Sequence, residues 1–164
     1  MRQLVTFANS PIEPDWIAVN DGVMGGRSSG GPTVVDGMLS FRGELSLANN
    51  GGFSSVRSVD RTFDLSDVVA VVLRVRGDGR RYQLRLATEA RYRGMAVSYG
   101  AGFDTINGEW ITVRLPLAQL EPSVRGTSLQ GPPLDGAHVQ EIGLLIADKR
   151  EGAFSLDVDW IGVE

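Results

Sequence analysis

Apolar and polar residues alternate along most of this chain in short runs. Leu39, Phe41, Gly43, Leu45 and Leu47 share one face of a strand, and Val69, Val71, Leu73 and Val75 share another. Tyr82, Leu84 and Leu86 follow the same period of two, as do Ile111, Val113 and Leu115, and then Ile142, Leu144 and Ile146. Phe154, Leu156, Val158 and Trp160 alternate with Ser155, Asp157 and Asp159. A period of two marks strands with one buried face. Glycine falls between these runs and punctuates them as turns. No window of a dozen residues carries a helical stripe; the best, Leu115 to Leu120, is one turn interrupted by Pro116 and Pro122. Many short strands without βαβ alternation predict an all-β antiparallel sandwich or barrel. The expected core includes Val71, Leu73, Leu84, Ile111, Val113, Leu144, Leu156 and Val158.

At 164 residues, with no repeat and no linker, residues 1–164 are expected to form a single domain. A chain of this size buries roughly two thirds of its unfolded surface and needs no staples. Hydrophobic residues at 42% and charged residues at 22% exclude a disordered chain. The net charge of −4 argues against nucleic acid as a partner. Cysteine is absent, which excludes disulfides, thiolate catalysis and cysteine zinc sites. The N-terminus from Met1 to Phe7 has no long apolar core, and the apolar run Val68 to Leu73 is too short to span a bilayer. A cytoplasmic protein made without processing is expected.

Gly77-Asp78-Gly79-Arg80 has turn chemistry between two alternating runs. If it closes a four-residue hairpin, Val75 faces Tyr82 and Leu73 faces Leu84. The opposite face then gathers Arg74, Arg76, Arg81, Gln83 and Arg85. Such a face is a candidate surface for an acidic partner, with carboxylates inside the domain as the alternative answer to its charge.

Other constellations are weaker. Gly26-Arg27-Ser28-Ser29-Gly30 fits the G-x-S-x-G pattern of a nucleophile elbow. Gly31-Pro32 follows it where a helix is required, and the sole histidine, His138, is the only base on offer. Arg76-Gly77-Asp78 spells an adhesion tripeptide and is expected to be a turn instead. Asp157 and Asp159 alternate on the last strand, and Asn20-Asp21 open a glycine-rich loop. Calcium and glycosidase readings of these acids compete with plain solvation, which is favoured. No metal or cofactor is expected. The Asn20 to Ser28 and Asn49 to Phe53 loops are either structural corners or binding loops.

Several segments in order carry a family resemblance. They are Trp16 with the Asn20 to Ser28 loop; Phe41-Arg42-Gly43-Glu44-Leu45; Gly51-Gly52-Phe53-Ser54-Ser55-Val56-Arg57; and Leu73 to Arg80. Trp110 with Val113, Leu115 and Pro116 follows, then Arg125-Gly126, Ile142-Gly143-Leu144, Ala147 to Phe154, and Asp157-Val158-Asp159-Trp160-Ile161-Gly162. Together they resemble the complex I intermediate-associated protein family, known for a mitochondrial assembly factor of NADH:ubiquinone oxidoreductase. The resemblance implies a galactose-binding-domain-like jelly roll of two antiparallel sheets, and it supplies no catalytic residue set. Mitochondrial members are longer, so a bacterial-type stand-alone version is expected.

The resulting expectation is a non-catalytic protein-binding module, with respiratory-complex subunits or assembly intermediates as partners. Candidate binding residues are Asn20, Asp21, Arg27, Arg57, Arg74, Arg76, Arg85, Trp110, Asp148 and Lys149. A carbohydrate- or small-ligand-binding module is the alternative, with Tyr82, Tyr92, Tyr99 or Trp110 as stacking platforms; a hydrolase ranks last.

Overall fold

Two-residue turns with both residues at positive φ close three hairpins, at Asp36-Gly37, Arg93-Gly94 and Arg125-Gly126. That backbone twist matches the twist of paired strands, which is why an Asx or other tolerant residue followed by glycine recurs there. A computed structural model describes residues 1–164, apart from the side chains of Val23 and Met24. Its strands are β1 (Arg2–Val5), β2 (Asp15–Asn20), β3 (Ser29–Val35), β4 (Met38–Leu45) and β5 (Ser54–Val59). They continue as β6 (Ala70–Arg76), β7 (Arg81–Tyr92), β8 (Met95–Asp104), β9 (Trp110–Pro116) and β10 (Glu121–Val124). The last are β11 (Thr127–Ser128), β12 (Glu141–Ile146) and β13 (Gly152–Val163). Helix is confined to 3-10 turns, one of them at Leu117–Gln119, where the sequence offered its only helical turn.

The strands form two antiparallel sheets. The first runs β3-β4-β13-β6-β9, with β1 also paired to β13; the second runs β11-β10-β8-β7-β12-β5-β2. Their inner faces share one apolar cluster, in which Leu39, Phe41, Leu73, Val75, Tyr82, Leu84, Leu86, Leu144 and Leu156 have no more than 1% exposure. This is the all-β, jelly-roll-like sandwich that the alternation implies.

Three details depart from expectation. Gly77–Arg80 does not close a hairpin: β6 belongs to the first sheet and β7 to the second, so the loop arches across the core. Arg74 and Arg76 therefore point away from one side of the sandwich, and Arg81, Gln83 and Arg85 from the other. An arch and a hairpin place the same residues inward, so alternation alone cannot separate them. Second, Trp160 is not inward with Val158. A bulge between them pairs Trp160 with Arg74 and turns Ile161 and Val163 into the core instead. Third, Ile111 and Val113 are only partly buried, because β9 is an edge strand of its sheet, whereas the other six predicted core residues are buried. Ile111→Val should consequently cost less than about 1 kcal/mol in a urea titration, at the low end for this exchange.

Candidate binding faces

The two glycine-rich loops meet at one carboxylate. Asp21 is fully buried and accepts from the Ser28 backbone N–H (2.9 Å), the Ser28 hydroxyl (2.7 Å), and the Gly52 (2.6 Å) and Phe53 (3.3 Å) N–H groups. Burial pushes its carboxyl up, but these donors outweigh burial and hold it below the usual aspartate range. A side chain at Gly51 would press to 2.5 Å from Asp21 Oδ2, so glycine permits this close approach. Asn20 is likewise occupied, donating to the Gly30 carbonyl (3.0 Å) and accepting from the Ser54 hydroxyl (2.5 Å). Ser28 Oγ is shared with Asp21 and with Ser46, whose N–H donates to it at 2.9 Å. His138 lies in a separate network, with Nδ1 2.7 Å from Asp135. Of these loops, Arg27 is exposed.

Asp148 also faces inward. It holds Arg80, a buried arginine that pattern reasoning passed over as a turn residue, through Nε at 2.8 Å and Nη2 at 2.6 Å. Arg80 further donates to the carbonyls of Arg150, Gly152 and Ala153. The Arg76-Gly77-Asp78 tripeptide is engaged beside it: Asp78 accepts from Tyr82 Oη (3.0 Å) and from the Ser155 N–H (2.8 Å). Lys149, next to this clasp, is exposed.

The outer face of the first sheet collects Trp110, Arg74 and Arg76. Partner residues run Trp110, Arg76, Asp157, Ser40 and Thr33 across β9, β6, β13, β4 and β3. The Arg76 guanidinium sits 4.9 Å from the Trp110 ring centroid, and that of Arg74 5.9 Å from it. Arg76 also grips Asp157 through Nε (3.2 Å) and Nη2 (2.9 Å), and Arg42 approaches the same carboxylate at 3.5 Å. Asp157 is therefore buried at 5% exposure, not solvated as its alternation with Asp159 suggested; Asp159 is exposed. Trp160 stands on this face opposite Arg74.

Arg57 and Arg85 lie on the outer face of the second sheet, separated by Gly143 of β12. Arg57 Nε is 3.5 Å from Glu141. Burial raises the Glu141 carboxyl, an effect that Arg57 partly offsets. Arg85 donates through Nη1 to the Ser98 (3.2 Å) and Ser123 (3.1 Å) hydroxyls. Tyr82 and Tyr99 are fully buried and offer no platform, whereas Tyr92 is exposed at the β7–β8 end. The described residues hold no group of three or more His, Cys, Asp or Glu placed to bind a metal ion. Among the described residues, no helix is long and apolar enough to cross a membrane.

This architecture is that of the β-sandwich carbohydrate-binding modules. A family 11 module of the Clostridium thermocellum cellulase Lic26A-Cel5E superposes with a TM-score of 0.69 at 10% identity, covering 99% of this chain and 94% of that one. A family 30 module superposes with a TM-score of 0.59 at 16% identity, covering 98% of each. Such low identities establish fold alone. Within that architecture the chain belongs to the Complex I intermediate-associated protein 30 (CIA30) family, whose model matches residues 5–158. The mouse mitochondrial Complex I intermediate-associated protein 30 is 27% identical over 175 residues, which is 90% of this chain and 51% of that protein. The Drosophila melanogaster protein of the same name is 30% identical over 116 residues, covering 64% of this chain and 37% of its own length. This chain thus spans about half the length, or less, of these relatives. Both are named as mitochondrial, in contrast to the cytoplasmic expectation.

Proposed function

We propose that residues 1–164 act as one non-catalytic protein-binding module that serves the assembly of a respiratory complex I, docking its partner on the outer face of the first sheet. The observation that carries this reading is the Arg74–Trp110–Arg76 stack. Tryptophan and arginine dominate the energetics of protein interfaces, because each combines large apolar area with a polar edge. Here the two guanidinium groups hold the indole in place, so little side-chain entropy remains to be lost on docking. The family name supports a partner drawn from complex I intermediates.

A carbohydrate ligand is the second reading. It is favoured by a cavity of about 330 Å³ lined by Trp16, Asn9, Ser10, Glu13 and Asp15, where a sugar ring has both an indole and polar partners. The outer faces of the sheets carry guanidinium groups more than open rings, which weighs toward protein.

The test is Trp110→Ala combined with Arg74→Glu, used as bait beside the unaltered protein. Recovery of complex I subunits should fall about tenfold or more, as for loss of an interface hot spot. The melting temperature should stay within a few degrees, because both side chains are partly exposed. Unchanged recovery would refute this face. Retention by immobilised glycans, abolished by Trp16→Ala, would promote the carbohydrate reading.

A further inference from the structure

Across β2, β5, β12, β7, β8 and β10, partner residues on the outer face of the second sheet run Ile17, Arg57, Gly143, Arg85, Gly100 and Glu121. Arg85 lies flat on Gly100: a Cβ at that glycine would stand 2.8 Å from Arg85 Nε. The serine hydroxyls of Ser98 and Ser123 fix Nη1. Nε is the only buried side-chain nitrogen or oxygen among the described residues without a hydrogen-bond partner. Among the described residues Nη2 has no hydrogen-bond partner, and the side chain keeps part of its surface exposed.

Charge makes Arg85 unusual among the arginines that are withdrawn from water. Arg80, Arg76 and Arg57 each meet a carboxylate; Arg74 meets none but lies over the Trp110 ring, and Arg85 has neither an acid nor a ring. The acids on its own face are engaged or apart. Glu141 pairs with Arg57, Asp104 pairs with Arg81 at 2.9 Å, and exposed Glu121 stands beyond Gly100 without forming an ion pair. A guanidinium cannot shed its proton to escape partial burial, so an arriving anion recovers much of that desolvation.

We infer that Arg85 anchors an oxyanion subsite on this face, and that its ligand is a carboxylate on an extended acidic peptide segment of a partner protein. The adjoining row, Val19, Ser55, Leu145, Gln83 and Gly102, presents aliphatic groups and the Gln83 amide, with the buried Ser55 hydroxyl already given to the Val19 carbonyl, which suits peptide side chains. No aromatic ring stands in either row, which disfavours an acidic sugar. The inference rests on the protein-binding reading for the class of ligand, but it uses the opposite sheet.

The probe is an acetylated, amidated hexaglutamate peptide, with trigalacturonate as the competing carboxylate. Binding is followed by calorimetry and by the Arg85 Nε–Hε signal in a nitrogen–proton NMR spectrum. The peptide should bind saturably, move that signal, and weaken about tenfold or more with Arg85→Gln, as expected for loss of a charge-assisted hydrogen bond. Glu121→Gln should tighten binding, because it removes a like charge beside the subsite. Trp110→Ala should leave it unchanged, which separates this subsite from the first face. If Arg85→Gln does not fold, the Nε signal of the unaltered protein and the Arg85→Lys variant still report. No movement of that signal at millimolar peptide, or full affinity in a folded Arg85 variant, would overturn the subsite. Binding of trigalacturonate without the peptide would overturn the peptide ligand, and loss of peptide binding with Trp110→Ala would transfer it to the other sheet.

Discussion

Asp148→Ala should lower the free energy of unfolding by about 3–5 kcal/mol, as measured by urea denaturation. Asp148 and Arg80 are each about 7% exposed, and the pair joins the arch between β6 and β7 to the loop between β12 and β13. Without Asp148, Asp78 is the remaining acid acting on the Arg80 charge, and the buried guanidinium bonds only to the Arg150, Gly152 and Ala153 carbonyls. Those oxygens satisfy hydrogen bonds but not the charge. The neighbouring Lys149→Ala should change stability by no more than about 0.5 kcal/mol, because that side chain is exposed. Burial pushes the Asp148 carboxyl up, but its bonds with Arg80 hold it below the ordinary value. Its folded value is therefore depressed, so its contribution is present above the unfolded value of about 3.9 and is lost as pH falls through the folded value. The unaltered protein should show acid destabilisation from this group that the Asp148→Ala variant lacks.

Asp21→Ala should cost about 3 kcal/mol or more, seen as a lower melting temperature. The Ser28 N–H and the Gly52 N–H would lose their common acceptor, while the Ser28 hydroxyl keeps the Ser46 carbonyl at 3.1 Å, and each orphaned donor costs about 1–3 kcal/mol when water cannot replace it. Water entering the vacated space would recover part of that, which keeps the expected figure below the sum. Asp21→Asn retains the shape but turns one acceptor into a donor facing donors, so it should also destabilise. The depressed carboxyl gives the same sign as at Asp148: its stabilisation holds at neutral pH and disappears as acid protonates it. The Asn20 to Ser28 and Asn49 to Phe53 segments are then one corner bound from within, and Arg27 is left as the exposed cation of that corner.

These outcomes separate local from global information. Phe41, Leu73, Leu84, Leu144 and Leu156 declared themselves by alternation alone, because a strand with one buried face must place apolar residues at every second position. The family was legible for a related reason: its marks are turn glycines and the strand ends beside them, which depend on neighbouring residues. Trp160 misled because a single bulge residue reverses the inward face, and nothing in the spacing of Val158, Asp159 and Trp160 announces a bulge.

By itself the sequence determined the all-β class, most of the core and the composition of the surface, since each follows from periodicity within a few residues. Only the tertiary structure decided which residues stand together. Arg74 and Arg85 share a pattern but lie on opposite sides of the sandwich, because an arch and a hairpin bury the same residues and differ only in the strands they join. Likewise Asp21, Asp148 and Asp157 look like surface acids in sequence. They are buried because donors from distant strands and loops reach them, and a carboxylate's environment is set by those partners, not by its neighbours along the chain.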